Sequence, residues 1–319
     1  MPLASSVFFG GGTPSLIDAE NLVAILSEIA VEDDAEVTVE CNPDTVDAEK
    51  FAIYADGGVN RVSLGAQSFS PHVLRSLNRT HDISNVQRSV ESAHVAGIDR
   101  VSLDLIYGTP GESADDWRHS LKVVTDLDVE HVSAYALTVE TGTPLGKAVA
   151  SGEAAAPDDD DQADKYLIAD DFLVEHGFEN SELSNWAIPG GESRHNILYW
   201  TMGEYVAIGC AGHGHVGSER WWNVRTPERY IERIGAAESP VAGSESLDPH
   251  RRAEEAFGLA LRLRTGVAIS DTAADCVAEL VDAGLVARVR SGIRLTQSGR
   301  LLANDVTTRL LLAGATTVS

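Results

Sequence analysis

Apolar and polar positions fall in alternating blocks along the first half of the chain. Short runs of apolar, β-branched residues lie at 7–9, 37–39, 61–64, 101–106 and 132–137. The stretches between them, at 19–30, 48–55, 84–96 and 114–127, read as helices. Strand and helix in strict turn predict parallel strands joined by crossover helices, either an open doubly wound sheet or a (β/α) barrel. A polar residue stands at or near the C-terminal end of each expected strand: Thr13, Glu40, Gln67, Asp104 and Thr138. Parallel barrels gather their chemistry on that face from several strands, whereas an open sheet needs it at one switch point. The pattern therefore favours the barrel.

Past residue 150 the pattern is mixed, with a helix expected over 160–176 and short strands over 178–183 and 205–209. After residue 248, two helices (251–264 and 270–283) precede an alternating stretch that turns at Ser291-Gly292, the chemistry of a hairpin. A last helix over 300–312 completes a winged-helix-like arrangement. Three parts are expected: a partial barrel over 1–150, an α+β extension over 151–246 and a C-terminal module over 247–319.

Composition narrows the class. The 319 residues, 43% hydrophobic and 23% charged, suit an ordinary globular protein with room for a barrel and a smaller domain. No apolar run approaches the roughly 18–20 residues that span a bilayer. The brief VFF run has no basic segment before it, so no secretory signal is expected. Cys41, Cys210 and Cys276 are too scattered for a disulfide framework, which points to the cytoplasm. Net charge is −25, and residues 247–319 hold nine Arg against eight Asp plus Glu, so the acidity lies before them. An acidic body repels nucleic acid. The helix over 270–283 carries Asp271, Asp275, Glu279 and Asp282 with no Lys or Arg, and DNA affinity rests on basic side chains. No nucleic-acid partner is expected.

The first strand runs straight into Gly10, Gly11 and Gly12, followed by Thr13 and Pro14. Bare glycine backbone permits very close approach of a ligand, although a ligand-free turn would use the same residues. A P-loop is excluded, because no Gly-Lys-Ser/Thr follows. FFGGGTPS is then followed in order by ECNP (40–43), GAQSF (65–69), LNRTH (77–81), DLIYGTPGE (104–112) and HNILYW (195–200). Together these six motifs resemble the HemN/HemW branch of the radical SAM superfamily, over nearly the whole chain from Val7 onward.

The resemblance implies a six-stranded partial barrel, of which the five strands here are the second to the sixth. It implies S-adenosyl-L-methionine (SAM) contacts at Gly11, Gly12, Thr13, Glu40, Gln67, Arg79, Asp104 and Ala136. It also implies haem at His195, with Tyr199 and Trp200 placed to stack on the macrocycle. The branch holds a [4Fe–4S] cluster on a CxxxCxxC loop after the first strand; this sequence has no such spacing, and its three cysteines cannot mimic it. An N-terminal truncation that removes the first strand, cluster loop and first helix is the expected reason, a naturally cluster-free relative the alternative. No metal ligand and no catalytic residue is assigned. The branch's GxGAHS segment stands here as Gly209-Cys210-Ala211-Gly212-His213-Gly214, with Cys210 expected as a buried small residue. The function implied is a haem chaperone that binds haem and SAM and passes haem to acceptor proteins, membrane-associated ones included. The alternative is an oxygen-independent coproporphyrinogen III oxidase that decarboxylates propionates. HNILYW favours the chaperone.

Overall fold

The structure, a computed structural model, describes residues 3–79 and 82–316. The chain divides into two compact units, Met1–His195 and Asn196–Ser319.

In the first unit the elements run β1 (Ala4–Phe9), α1 (Ala19–Ser27), β2 (Val31–Cys41), α2 (Ala48–Asp56), β3 (Arg61–Gln67), α3 (Pro71–Ser76) and α4 (Ile83–Val95). Next come β4 (Arg100–Tyr107), α5 (Ala114–Asp126), β5 (His131–Ala136), α6 (Pro144–Ser151) and α7 (Asp159–Glu175). β6 (Glu179–Glu182), β7 (Asn185–Ala187) and the start of α8 (Arg194–Trp200) end the unit. The sheet order is β1-β2-β3-β4-β5-β7-β6, with the first five strands parallel and β7 antiparallel to both neighbours. The α/β expectation holds: the parallel strands form the curled wall of an incomplete (β/α) barrel.

Each strand has two unlike faces. Val37, Val39, Val62, Leu64, Leu103 and Val132 point to the helices, where Phe51, Val86, Trp117 and Leu121 close the core. Burial of each such side chain contributes on the order of 1.5–3 kcal/mol over leaving it in water. The helices are set by local chemistry as well. Ser113 and Asp116 form a reciprocal capping box at the start of α5, and Asp47 and Asp82 cap α2 and α4. α7 is tied down by Lys165, 1% exposed, which reaches Asp161 at 2.5 Å and the Glu112 carbonyl at 2.8 Å. The acidic run at Asp158–Asp161 thus caps and opens a helix, with Lys165 one turn on.

The second unit carries a three-stranded antiparallel sheet of β8 (His213–Val216), β9 (Glu219–Asn223) and β10 (Val241–Ser246), with α9 (Pro227–Gly235) between the last two. α10 (Pro249–Ala260), α11 (Ala274–Asp282), the hairpin β11 (Val286–Val289) and β12 (Gly292–Leu295), α12 (Gln297–Leu301) and α13 (Ala303–Leu312) follow. The expected order of helix, helix, hairpin and helix is present, while its winged-helix character stays an expectation. Two differences have physical causes. The strand expected over 205–209 does not form; only Tyr205 bridges to His215, and positive φ at Gly209 and Ala211 turns the chain away. The last helix breaks at Leu302, whose ψ of 25° interrupts the helical path.

Candidate functional site

The face of the parallel sheet opposite the helices is built from alternate strand residues, and it is largely polar. Glu36, Thr38 and Glu40 come from β2, Arg61 and Ser63 from β3, Arg100, Ser102 and Asp104 from β4, and His131 and Ser133 from β5. Register places Glu40 opposite Ser63, Ser63 opposite Ser102, and Asp104 opposite Ser133.

At the C-terminal end of this face lies the glycine loop. A Cβ at Gly11 or Gly12 would meet nothing within 4 Å, and Gly11 has φ +94°, a conformation that favours glycine. The loop is held from below. Ser15 and Thr45 hydroxyls lie 2.6 Å apart, and the Lys50 ammonium donates to the Ser15 and Thr45 carbonyls at 2.7 and 3.0 Å. The Gly11 amide donates to Glu40 Oε2 at 3.2 Å. Burial pushes the Glu40 carboxyl up, the nearby Asp104 charge pushes it further, and the Gly11 amide offsets only part. Asp104, the fifth residue of β4 rather than its last, accepts the Ser63 hydroxyl at 3.0 Å. Its carboxyl is also raised, by burial that outweighs the bonds from Ser133 and Ser63 and the Arg61 charge. Two carboxyls held above their ordinary range on one face are favoured as anions by a positive charge placed near them.

Gln67 ends β3 at φ +62°, a region uncommon for a side-chain-bearing residue, and the β3–β4 register shifts between Leu64 and Gln67. Strain and bulges of this kind cluster at functional sites. The other assigned residues stand apart. Thr13 follows the glycines without a side-chain capping bond. Arg79 is exposed after α3, and Thr80 and His81 of LNRTH lie outside the described residues. The Ala136 methyl packs with the helix-side core.

His195 meets the same face at the other end of β1 and β2. Its Nδ1 lies 3.0 Å from Ser6 Oγ, and its ring stacks on Phe8 with centroids 4.9 Å apart and planes 16° from parallel. The buried Glu36 carboxylate takes the Arg194 amide at 3.0 Å and the His195 amide at 2.9 Å, so it caps the start of α8. Glu36 also pairs with Arg100 at 2.8 Å, and Arg100 with Glu130 at 2.7 Å. Burial alone would raise the Glu36 carboxyl; Arg61, the two amides and Arg100 outweigh it and hold it low. Burial lowers His195 to about 4, with Glu36 opposing and Arg61 adding to the shift, so the imidazole is neutral near pH 7. Four residues along β2 separate Glu36 from Glu40, roughly 13 Å. Phe8 spans part of that gap, since a Cβ on Gly10 would fall 2.6 Å from its ring and 3.0 Å from Glu40 Oε2.

Sequence reasoning missed Ser6, Phe8, Glu36, Arg61, Arg100 and His131. The signal was present: a parallel barrel strand usually reads as a continuous apolar run, and here charged residues alternate with Val and Leu.

This combination of half-barrel, glycine loop and carboxylates at strand ends defines an α/β protein of radical SAM type, and the Radical SAM superfamily model matches residues 2–124. The haem chaperone HemW of Mycobacterium tuberculosis is 43% identical over 318 residues, covering 97% of this chain and 81% of that protein. HemW of Bacillus subtilis is 32% identical over 96% of this chain and 85% of its own length. The chain belongs to the HemW family. The solved coproporphyrinogen III oxidase HemN of Escherichia coli superposes with a TM-score of 0.80 over 96% of this chain and 77% of that one. At 20% identity that likeness establishes the fold alone.

A [4Fe–4S] cluster, which the superfamily implies, does not fit the residues described here. Burial pushes the Cys41 thiol far up, so it stays protonated, and its Sγ lies 3.6 Å from the Val39 carbonyl. Cluster ligands are thiolates. Among the described residues no group of three His, Cys, Asp or Glu side chains is arranged to hold a metal ion. SAM does fit, in an open glycine cradle beside two carboxylates.

Proposed function

We propose that this chain is a haem chaperone that carries haem through His195 and holds SAM at the glycine loop. The observation that carries the reading is the fixed placement of the His195 imidazole, stacked on Phe8 with Nδ1 held at Ser6. Haem iron takes an uncharged histidine nitrogen, and a proton on the ring would compete with the metal. Ser6, Phe8 and the Glu36 cap orient that ring before any ligand arrives, which lowers the entropic cost of binding. Kinship with haem chaperones over 97% of the chain points the same way.

SAM, when bound, supplies an ammonium, a carboxylate and a sulfonium centre. Gly11 and Gly12 would admit it against bare backbone, with Thr13 beside them. Glu40 and Asp104 would balance its positive charge, and Gln67 and the Ala136 backbone would line the same rim. Arg79 would meet its carboxylate. The partners on this reading are haem-accepting proteins. Among the described residues no helix is long and apolar enough to cross a membrane, and a cytoplasmic location belongs to the proposal. So does the division into barrel (1–150), extension (151–246) and C-terminal module (247–319). The oxidase alternative is supported by likeness of fold alone.

The test is a ferric haem titration of the full chain at pH 7, followed by the Soret band, with and without His195→Ala. At least a tenfold loss of affinity is expected in the variant. Equal affinity would reject His195 as the haem contact.

A further inference from the structure

The second unit holds a cavity of about 340 Å³ that no reading so far uses. Its walls are largely apolar and aromatic. Tyr199 and Tyr205 meet edge to face with centroids 4.7 Å apart, and Met202 and Leu259 add to the apolar part of the lining. One feature costs helix stability. Gly258 sits inside α10, where glycine is about 1 kcal/mol worse than Ala. A Cβ there would touch only the Thr307 methyl, at 3.4 Å, so the missing side chain leaves space in the cavity. Met202 takes φ +57° where it closes α8, with the Gly203 amide donating to the Leu198 carbonyl at 2.8 Å and the Met202 amide to the Tyr199 carbonyl at 3.1 Å, and this turn brings Met202 to the cavity wall.

The charges decide what the cavity takes. Arg220 is matched by Glu245 and Glu255, each at 2.8 Å. Both ring nitrogens of His215 are engaged, Nδ1 with the Gly203 carbonyl and Nε2 with Arg252. Arg262 is different. Its guanidinium lies over the Trp200 ring, 5.5 Å from the centroid, and donates to Asn304 Oδ1 at 3.2 Å. Among the described residues no carboxylate lies within salt-bridge distance of it. A guanidinium held over an indole, with only an amide oxygen on its fork, is suited to receive a carboxylate.

We propose that this cavity receives the propionate-bearing edge of a porphyrin, with Arg262 as the carboxylate anchor. The inference rests on the haem-carrying reading and names the chemistry of a porphyrin contact within the second unit. The volume lies at the small end of the roughly 300–1,000 Å³ typical of ligand pockets, so it takes an edge and leaves the rest of the macrocycle accessible for transfer. The tyrosines supply the flat apolar walls that such an edge requires.

Metal-free protoporphyrin IX is the probe, because without iron it cannot bind through His195 ligation. Its fluorescence anisotropy is titrated against the full chain. Arg262→Gln should weaken binding at least tenfold, and the dimethyl ester should bind the unmodified chain no better than the free acid binds that variant. Gly258→Met should also block binding; it replaces glycine by a better helix former, so its loss is not one of folding. Full-strength binding by both cavity variants, or equal binding of acid and ester, would overturn the proposal. Loss of haem binding in His195→Ala alongside unaffected cavity variants would reject the cavity and leave the chaperone reading intact.

Discussion

Glu36→Gln tests whether buried charge on the inner face is what positions His195. The carboxylate is fully buried and serves four donors: the Arg194 and His195 amides, the Ser193 hydroxyl and Arg100. Removing one member of a buried pair costs about 3–5 kcal/mol, because the partner charge is left in low dielectric. Glutamine keeps the shape and one acceptor oxygen, so the lower figure applies, about 3 kcal/mol. Arg100 retains Glu130 at 2.7 Å, whereas Arg61 is 2% exposed with an Nε that has no hydrogen-bond partner and draws its compensation from Glu36, Asp104 and Glu130. At about 2–4 °C per kcal/mol for a unit of this size, Tm should fall by roughly 6–12 °C. Differential scanning calorimetry reads the shift, and Glu36→Gln/Arg100→Met should regain part of it, since the two side chains are in contact. Haem affinity should fall along with Tm, because the cap that orients His195 is weakened. A Tm within 1 °C of the unmodified protein, or strictly additive losses in the double variant, would refute the argument.

Glu40→Gln should weaken SAM binding at least tenfold in equilibrium dialysis; unchanged affinity would remove Glu40 from the site. In the unmodified chain, SAM affinity should fall as pH is lowered toward the carboxylate range, and should begin to fall above the pH at which an ordinary carboxyl protonates, because burial raises both Glu40 and Asp104. Asp104→Asn should flatten that slope, and an unchanged slope would show that Asp104 does not sense the ligand. Lys165→Met leaves Glu112, with an orphaned Oε1, buried without its cation, and about 3–5 kcal/mol should be lost. Lys165→Met/Glu112→Gln should recover part of this in a urea melt, and no recovery would mean the pair is not what holds the loop over 108–112.

The strand–helix order was legible because each parallel strand presents β-branched residues to a helix, and five of these runs became β1 to β5. The glycine loop, Glu40, Gln67 and Asp104 were legible through motifs, and they share one face as expected. Arg79 and Ala136 were equally visible in sequence, yet one is exposed and the other faces the helices, since a motif gives no side-chain direction. β8 to β10 were missed because their segments, such as ERWWN, mix charge and large aromatics and pair only with each other. Glu36 was missed for another reason. Its role depends on residues some 160 positions away, and no local pattern announces that an acid in β2 will cap α8.

The central claim is that His195 is held half-buried and uncharged before haem arrives, and its titration in the haem-free protein tests it directly. Because the folded value is depressed from 6.5, the unfolded chain binds more protons between about pH 4 and 6.5. The stability tied to this group is therefore complete above pH 6.5 and is lost as pH falls toward 4. Imidazole resonances followed by NMR, assigned by comparison with His195→Ala, should give a midpoint near 4. A midpoint at 6.5 or above would mean that the ring is solvated and free to protonate, and would contradict the account.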